Sequence, residues 1–288
     1  MTAAVARHGH GRWLVAPVTV FLLAMLALPL AIDVVYAVSR VTFATVRHPV
    51  LVGLGNFSRV FGEPRFWQAL WFSFRFASVV TACQVVAGTA LALFLGPLLV
   101  RRPWLLAPLM LPMMVAPALV GLMYRLILHE FVGVVPYYLQ LLTGDSPAFL
   151  DPAHAFSTLV AIEALQWTPF ALLIMHTANQ AIPADLREAA AIDGTGPLAM
   201  LLRIELPLLT PSLAVVAAVR FIDSFRVFDN VYVLTGSGAG GGNTTISIYI
   251  YEAFFRSDDI GVAVAASLLL LALVGGTLAL VWRVVRAA

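Results

Sequence analysis

The sequence predicts an all-α polytopic membrane protein with six transmembrane helices, on three observations. Of its 288 residues, 61% are hydrophobic and 11% charged, against roughly 45–50% apolar in soluble domains. The mean hydropathy is +0.94. The apolar residues also gather into six runs, each with about the 20 residues a helix needs to cross a bilayer. Backbone polar groups find no water in lipid, so helices are the default. The alternating segments of a β-barrel are absent.

The first run, Trp13–Ser39, follows Arg7 and Arg12 as a signal peptide would. It is too long for a signal h-region and lacks a small-residue cleavage site, so it reads as an uncleaved span. His8 and His10 lie in a terminus expected to be disordered. The second run, Phe66–Leu95, carries Arg75, read as paired or snorkelling, and Cys83, the sole cysteine, a packing residue unable to form an internal disulfide. The third, Trp104–Leu128, is expected to kink at Pro108, Pro112 and Pro117. Between it and the fourth, His129–His154 holds Pro136, Gly144, Pro147 and Pro152, a loop with room for a short helix. The fourth run, Ala155–Ala178, should kink at Pro169, and the fifth is Leu209–Leu234. "TGSGAGGGNTT" after it has neither the lysine nor the preceding strand of a phosphate loop, and reads as a flexible extramembrane loop. The sixth run is Ile260–Trp282.

Several functions are excluded. A net charge of +2 gives no footprint for nucleic acid. All 17 basic residues are arginine. Without lysine the chain can build neither a Walker A site nor a Schiff base, so any ATPase is another polypeptide. No Ser-His pair or H-E-x-x-H motif marks an enzyme, and His129, Glu130 and His176 lack metal-ligand spacing. Six spans place both termini on one side. With that side inside, the inner segments carry Arg7, Arg12, Arg101, Arg102, Arg187, Arg203, Arg283 and Arg286, and the outer ones Arg40, Arg47, Arg59, Arg65 and Arg256, with Arg125 near them. This positive-inside bias is too weak to fix orientation.

The most unusual segment is "EAAAIDGTGPLAMLLRIELP", Glu188–Pro207, charged and glycine-punctured between two apolar runs. Pro183 suits the first turn of a helix, Asp185 and Glu188 favour its dipole, and Gly194 suits the left-handed residue that ends it. A second helix is expected from Pro197 to Glu205, stopped by Pro207 and apolar at Leu198, Met200, Leu201 and Leu202. It is too short to span. Physics leaves three readings open: a helix lying on lipid, a loop packed on the protein, or a knob for a cytosolic partner.

The spacing E-A-A, three residues, G, nine residues, I-x-L-P, met by Glu188, Ala189, Ala190, Gly194, Ile204, Leu206 and Pro207, resembles the signature of permease subunits of bacterial ABC importers. "VGLGNF" with "FWQAL", "QWTPF" and "RFIDSFRVFDNVYVLTG" are similar to the carbohydrate and polyol branch, the maltose/trehalose-type permeases. Leu201 stands where many members have phenylalanine, and "GSGAGGG" lacks the proline of their G-G-x-P. The resemblance implies a type I ABC importer permease fold. It implies an N-terminal span with an extracytoplasmic loop over 1–65, a core over 66–283 and a cytoplasmic tail over 284–288, with the 179–208 loop facing the cytosol. It implies that Glu188, Ala189, Ala190, Asp193, Gly194, Leu198, Leu201, Leu202, Ile204 and Pro207 couple the chain to a dimeric ATP-binding subunit that holds ATP and Mg²⁺. This chain would bind no cofactor. Its other partners would be a second homologous permease, an extracytoplasmic solute-binding lipoprotein and the lipid bilayer. It would sit in the bacterial cytoplasmic membrane with both termini inside, as a transport subunit rather than an enzyme.

Two stripes bear on the solute. Glu163, Gln166, Trp167 and Phe170 in the fourth run, and Arg220, Asp223, Ser224 and Val227 in the fifth, are spaced i, i+3, i+4, i+7 and so share helix faces. Acids and amides beside an aromatic suit a polyhydroxylated solute such as a disaccharide, oligosaccharide or polyol, and the family places solute contacts on these two helices. The charges equally well neutralise one another, and Arg226 with Asp229 reads as a structural pair. A self-contained secondary transporter or channel is the alternative reading; it would show broken-helix repeats and ion-coupling carboxylates.

Overall fold

The computed structural model describes residues 10–236 and 242–287. The expectations for the terminus ahead of His10 and for residues 237–241 of the glycine-rich loop Thr235–Thr245 therefore lie outside the described residues. His10 itself is the first residue of a helix rather than part of a disordered terminus, and within the described remainder of the loop Asn243 and Thr245 are buried rather than free. In chain order the helices are α1 (His10–Ala37), α2 (Gly55–Gly62), α3 (Pro64–Arg101), α4 (Leu106–Met114), α5 (Pro117–Ile127), α6 (Val134–Thr143), α7 (Pro152–Gln180), α8 (Ala184–Ile192), α9 (Pro197–Met200), α10 (Leu206–Phe225), α11 (Asp229–Thr235), α12 (Ile246–Tyr251) and α13 (Ile260–Ala287). Among the described residues the sheet content is one antiparallel pair, β1 (Ser39–Arg40) with β2 (Val50–Leu51). Five helical stretches are long and apolar enough to cross a membrane, and a sixth span arises if α4 and α5, bent by 83° at their junction, count as one.

Two expectations about the spans are corrected. The third is broken rather than kinked: Val115 (ψ 134) and Ala116 (ψ 135) are both extended before α5 opens on Pro117. A proline drives the residue before it out of the helical region, whereas Pro97, Pro112 and Pro169 sit inside unbroken helices. The fifth span does not run Leu209–Leu234. Helix begins at Pro197 and continues to Phe225, then yields at Arg226–Phe228 before α11. Pro207 does not stop it. Leu201–Glu205 form a π turn, closed by the Leu206 N–H on the Leu201 carbonyl. That wider turn accommodates a ring that would clash with the carbonyl four residues back.

The chain divides into two compact units, one formed by the chain up to Glu63 with Ile250–Ala272, the other by Pro64–Tyr249 with the stretch from Leu273. In the first, buried Asn56 donates to the carbonyls of Ala37 (2.9 Å) and Ser39 (2.7 Å), tying α2 to the end of α1. There Asp258 accepts from the Phe43 N–H at 2.7 Å, and Arg59 bridges Asp259.

The second unit is organised by α3 against α7. In lipid the apolar transfer is already complete, so close packing and hydrogen bonds hold helices together. Gly88 permits the approach: a Cβ there would meet the Ala171 Cβ at 2.5 Å and the Leu172 nitrogen at 2.8 Å. Two apolar clusters result. One gathers Phe72, Phe76 and Val80 of α3 with Leu159 and Ile162 of α7 and Val231 of α11. The other gathers Ala92 and Leu99 of α3 with Ala171, Leu172 and Met175 of α7 and Leu209 and Val216 of α10. On α3, Gln84 falls between Val80 and Gly88, and on α7, Glu163 and Gln166 fall between Ile162 and Ala171. The register thus leaves a polar layer between two greasy ones.

Candidate functional site

Glu163, Arg220 and Asn230 form the centre of that layer. Arg220, 1% exposed, gives Nη2–H to Glu163 Oε1 (3.2 Å) and Nε–H to Gln84 Oε1 (2.8 Å), and its Nη1 lies 3.5 Å from Asp223 Oδ2. Asn230 Nδ2 donates to Glu163 Oε2 (2.7 Å) and Gln166 Oε1 (2.9 Å). Gln84 Nε2 donates to the Glu163 carbonyl at 2.9 Å. Four helices, α3, α7, α10 and α11, thus meet on one ion pair. Such a pair is stable in a low-dielectric layer only when the remaining donors and acceptors are satisfied. Asn230 Oδ1 has no partner among the described residues.

One of these amides and two hydroxyls close the broken backbone. Gln166 Nε2 donates to the Val115 carbonyl at the α4–α5 break (3.1 Å), and the hydroxyls of Ser247 and Thr245 donate to the carbonyls of Arg226 (2.8 Å) and Val227 (2.9 Å) beyond α10. Non-helical backbone at membrane depth persists where side chains or cavity water take up the freed groups.

Beside the ion pair opens a cavity of about 420 Å³, lined by Glu163, Trp167, Arg220, Asp223, Val227 and Asn230 together with Pro117, Arg226, Phe228 and Asp229. Of the eight residues assigned to a solute path from sequence, Glu163, Trp167, Arg220, Asp223 and Val227 line it. Gln166, Phe170 and Ser224 do not: Gln166 and Ser224 are buried, Gln166 in the network, and Phe170 is half-buried on α7. Val227 reaches the cavity from the link beyond α10, not from a helical face. The Trp167 ring has one face covered by the Arg220 guanidinium, 4.6 Å from its centroid. The proposed Arg226–Asp229 pair is not made. Arg226 Nη2 lies 3.0 Å from Asp223 Oδ1, and Asp229 instead opens α11, where the helix dipole favours acid. Sequence periodicity missed Gln84 and Asn230, which lie on other elements. Their amides within or beside apolar runs were the available signal.

The charged segment is a second candidate site. α8 ends in a Schellman motif: Gly194 at φ +71 donates to the Ala191 carbonyl (3.1 Å) and Thr195 to that of Ala190 (3.0 Å). Arg187, not singled out from sequence, ties three elements, reaching Glu205 Oε1 (2.9 Å) in the π turn and the Asn179 Oδ1 (2.6 Å) and carbonyl (3.2 Å) of α7. Glu188, Ala189, Asp193, Gly194, Leu198, Leu202 and Pro207 are exposed, Leu201 and Ile204 half-buried, and Ala190 buried. Glu188 lies beyond the first turn of α8, which carries Asp185 alone as acid. Ile192, 86% exposed, joins Leu198 and Leu202 as bare apolar surface.

The family model of the binding-protein-dependent transport system inner membrane component matches residues 84–284, more than half of the chain. The chain belongs to that family. This permease is similar to the trehalose/maltose transport system permease protein MalF of Thermococcus litoralis, 36% identical over 225 residues that cover 77% of this chain and 76% of that one. It is also similar to the trehalose transport system permease protein SugA of Mycobacterium tuberculosis, 28% identical over 258 residues, 89% of this chain and 82% of that one. Among solved structures it resembles a chain of a bacterial ABC transporter involved in the import of the acidic polysaccharide alginate, with a TM-score of 0.82, 20% identity and 96% of each chain covered. The same transporter in complex with an alginate pentasaccharide-bound periplasmic protein matches at a TM-score of 0.80 and 20% identity, over 94% of this chain and 93% of that one. The permease therefore has the type I ABC importer fold. It is a multi-pass inner-membrane transport component and not an enzyme.

Proposed function

We propose that this permease is one half of the membrane passage of an ATP-driven, solute-binding-protein-dependent importer, and that its solute is an uncharged sugar or polyol. The observation that carries the reading is the cavity over the Glu163–Arg220 pair, with carboxylates to accept hydroxyls and Trp167 beside them. The relatives named for trehalose and maltose support it. So does charge: the lining acids are Glu163, Asp223 and Asp229, and its arginines, Arg220 and Arg226, are both paired to carboxylates. No lining guanidinium among the described residues is left over for an acidic solute. The partners are a second, homologous permease, an extracytoplasmic solute-binding lipoprotein and an ATPase dimer that holds ATP and Mg²⁺. The Glu188–Pro207 segment faces the cytosol with both termini, its bare Ile192, Leu198 and Leu202 seated in a cleft of the ATPase. Closure of that dimer rocks the spans around the cavity.

The test is uptake of radiolabelled trehalose and maltose into proteoliposomes carrying the chain with its partner subunits. ATP-dependent uptake, with no competition from uronate oligosaccharides, is expected; uptake without ATP, or competition by uronates at equal concentration, overturns it. Asp223→Asn is expected to raise KM roughly tenfold, the loss of about one hydrogen bond to a charged group, with the complex still assembling. Arg187→Ala is expected to release α8 from the π turn and α7. Uptake then falls roughly fivefold, about 1 kcal/mol of lost coupling, while ATP hydrolysis continues. Hydrolysis and uptake falling in the same proportion would instead mean that Arg187 has no part in coupling.

A further inference from the structure

We propose that the Pro64 end of α3 carries a phospholipid site: the phosphodiester sits against Arg75, and one acyl chain runs down the exposed stripe Val79, Ala82, Cys83 and Val86. Arg75 is exposed, and among the described residues its guanidinium has no hydrogen-bond or carboxylate partner; it lies over the Phe156 ring, 4.2 Å from the centroid. That contact occupies a face of the guanidinium and leaves its edge N–H groups, five donors in a fixed fork, to another acceptor. Beside it lies a cavity of about 250 Å³, lined by Arg65, Gln68, Trp71, Phe72, Arg75 and Thr244 among others, and no carboxylate lines it among the described residues. The Arg75 edge of this cavity is therefore cationic.

The length of α3 places this cavity at headgroup level. Arg75 and Arg101 bracket a stretch without any charged residue. They stand about 39 Å apart along a helix rising 1.5 Å per residue, close to the roughly 40–45 Å of a bilayer with its headgroup regions. Arg75 therefore marks one polar boundary, not the membrane interior. Trp67, Trp71 and Phe74 are exposed on the same helix end, as the aromatic belt requires. Beneath Arg75 the exposed positions recur every three or four residues and are all uncharged, with Val79 39% and Val86 69% exposed. A charged head above an apolar rail fits a phospholipid better than a free anion, which needs no rail, or a sugar, which needs no unpaired cation.

Native mass spectrometry of the assembled transporter in detergent, titrated with dioleoyl-phosphatidylglycerol or dioleoyl-phosphatidylcholine, tests this. Phosphatidylglycerol is expected to be retained more strongly. Arg75→Gln should weaken it about fivefold, the attraction of one arginine near an anionic headgroup, and Arg75→Lys should retain it. A photo-crosslinking residue at Val79 should label lipid, a readout that survives if Arg75→Gln lowers the yield. Equal retention by wild type and Arg75→Gln overturns the proposal. So does displacement of the lipid by inorganic phosphate, the mark of a free-anion site, or cross-linking from Val79 to another subunit alone, the mark of a protein occupant.

Discussion

Glu163→Ala is expected to cost the permease about 3–5 kcal/mol, the penalty for stranding one partner of a buried ion pair. It should be read as a lower unfolding midpoint in detergent and a reduced folded yield. Arg220 is fully buried, and its other carboxylate, Asp223, is further away at 3.5 Å and shared with Arg226. The loss spreads to Asn230, whose Nδ2 would keep Gln166 alone, and through Gln166 to the Val115 carbonyl at the α4–α5 break. Glu163→Gln should fall between, keeping an acceptor without the charge. Pairing Glu163→Gln with Arg220→Met should recover part of the loss, because an apolar replacement of both partners removes the stranded charge. A double variant no better than Glu163→Ala would show that hydrogen-bond geometry rather than charge balance holds the layer.

Gly88→Leu is expected to prevent α3 from seating on α7 altogether, with the folded protein absent from membranes. Even Gly88→Ala should cost about 1–3 kcal/mol as an overpacked contact. Its Cβ would fall 2.5 Å from that of Ala171 and 2.8 Å from a backbone nitrogen, and backbone cannot turn aside as a long side chain does. Ala171→Gly in the Gly88→Ala background removes the first clash and leaves the second, so partial recovery of the midpoint is the expected result. Unchanged midpoints for Gly88→Ala would mean that the helices are not so close. Separation here also bears on the polar layer, since Gln84 stands one turn from Gly88 and holds both Arg220 and the Glu163 carbonyl.

Much of the architecture was legible in the chain because lipid leaves so few options. A run such as Trp13–Ser39 has one low-energy form in a bilayer, and the structure makes it helical as far as Ala37. Gly194 was legible because a left-handed residue at a helix end is a local matter, decided by the absence of a Cβ. Pro117 was read as a kink, but its effect on Ala116 and Val115 went further. Whether a span bends or breaks depends on whether a neighbour supplies donors to the freed carbonyls, and Gln166 lies about fifty residues away in sequence.

The sequence by itself determined the class of protein, the approximate place of each span, the glycine turn of the charged segment and the exclusion of ATP binding through a lysine-dependent loop. These follow from side-chain chemistry or from short-range backbone geometry. The tertiary structure alone decided that α10 ends at Phe225, a break without any proline that the hydroxyls of Thr245 and Ser247 hold open. It also decided that Asp223 rather than Asp229 takes Arg226, and that Gln84 and Asn230 complete the site. Periodicity along one helix says which residues share a face. Which charges meet across helices is set by where close packing brings the backbones together, and that distance is not encoded in the spacing of any single run.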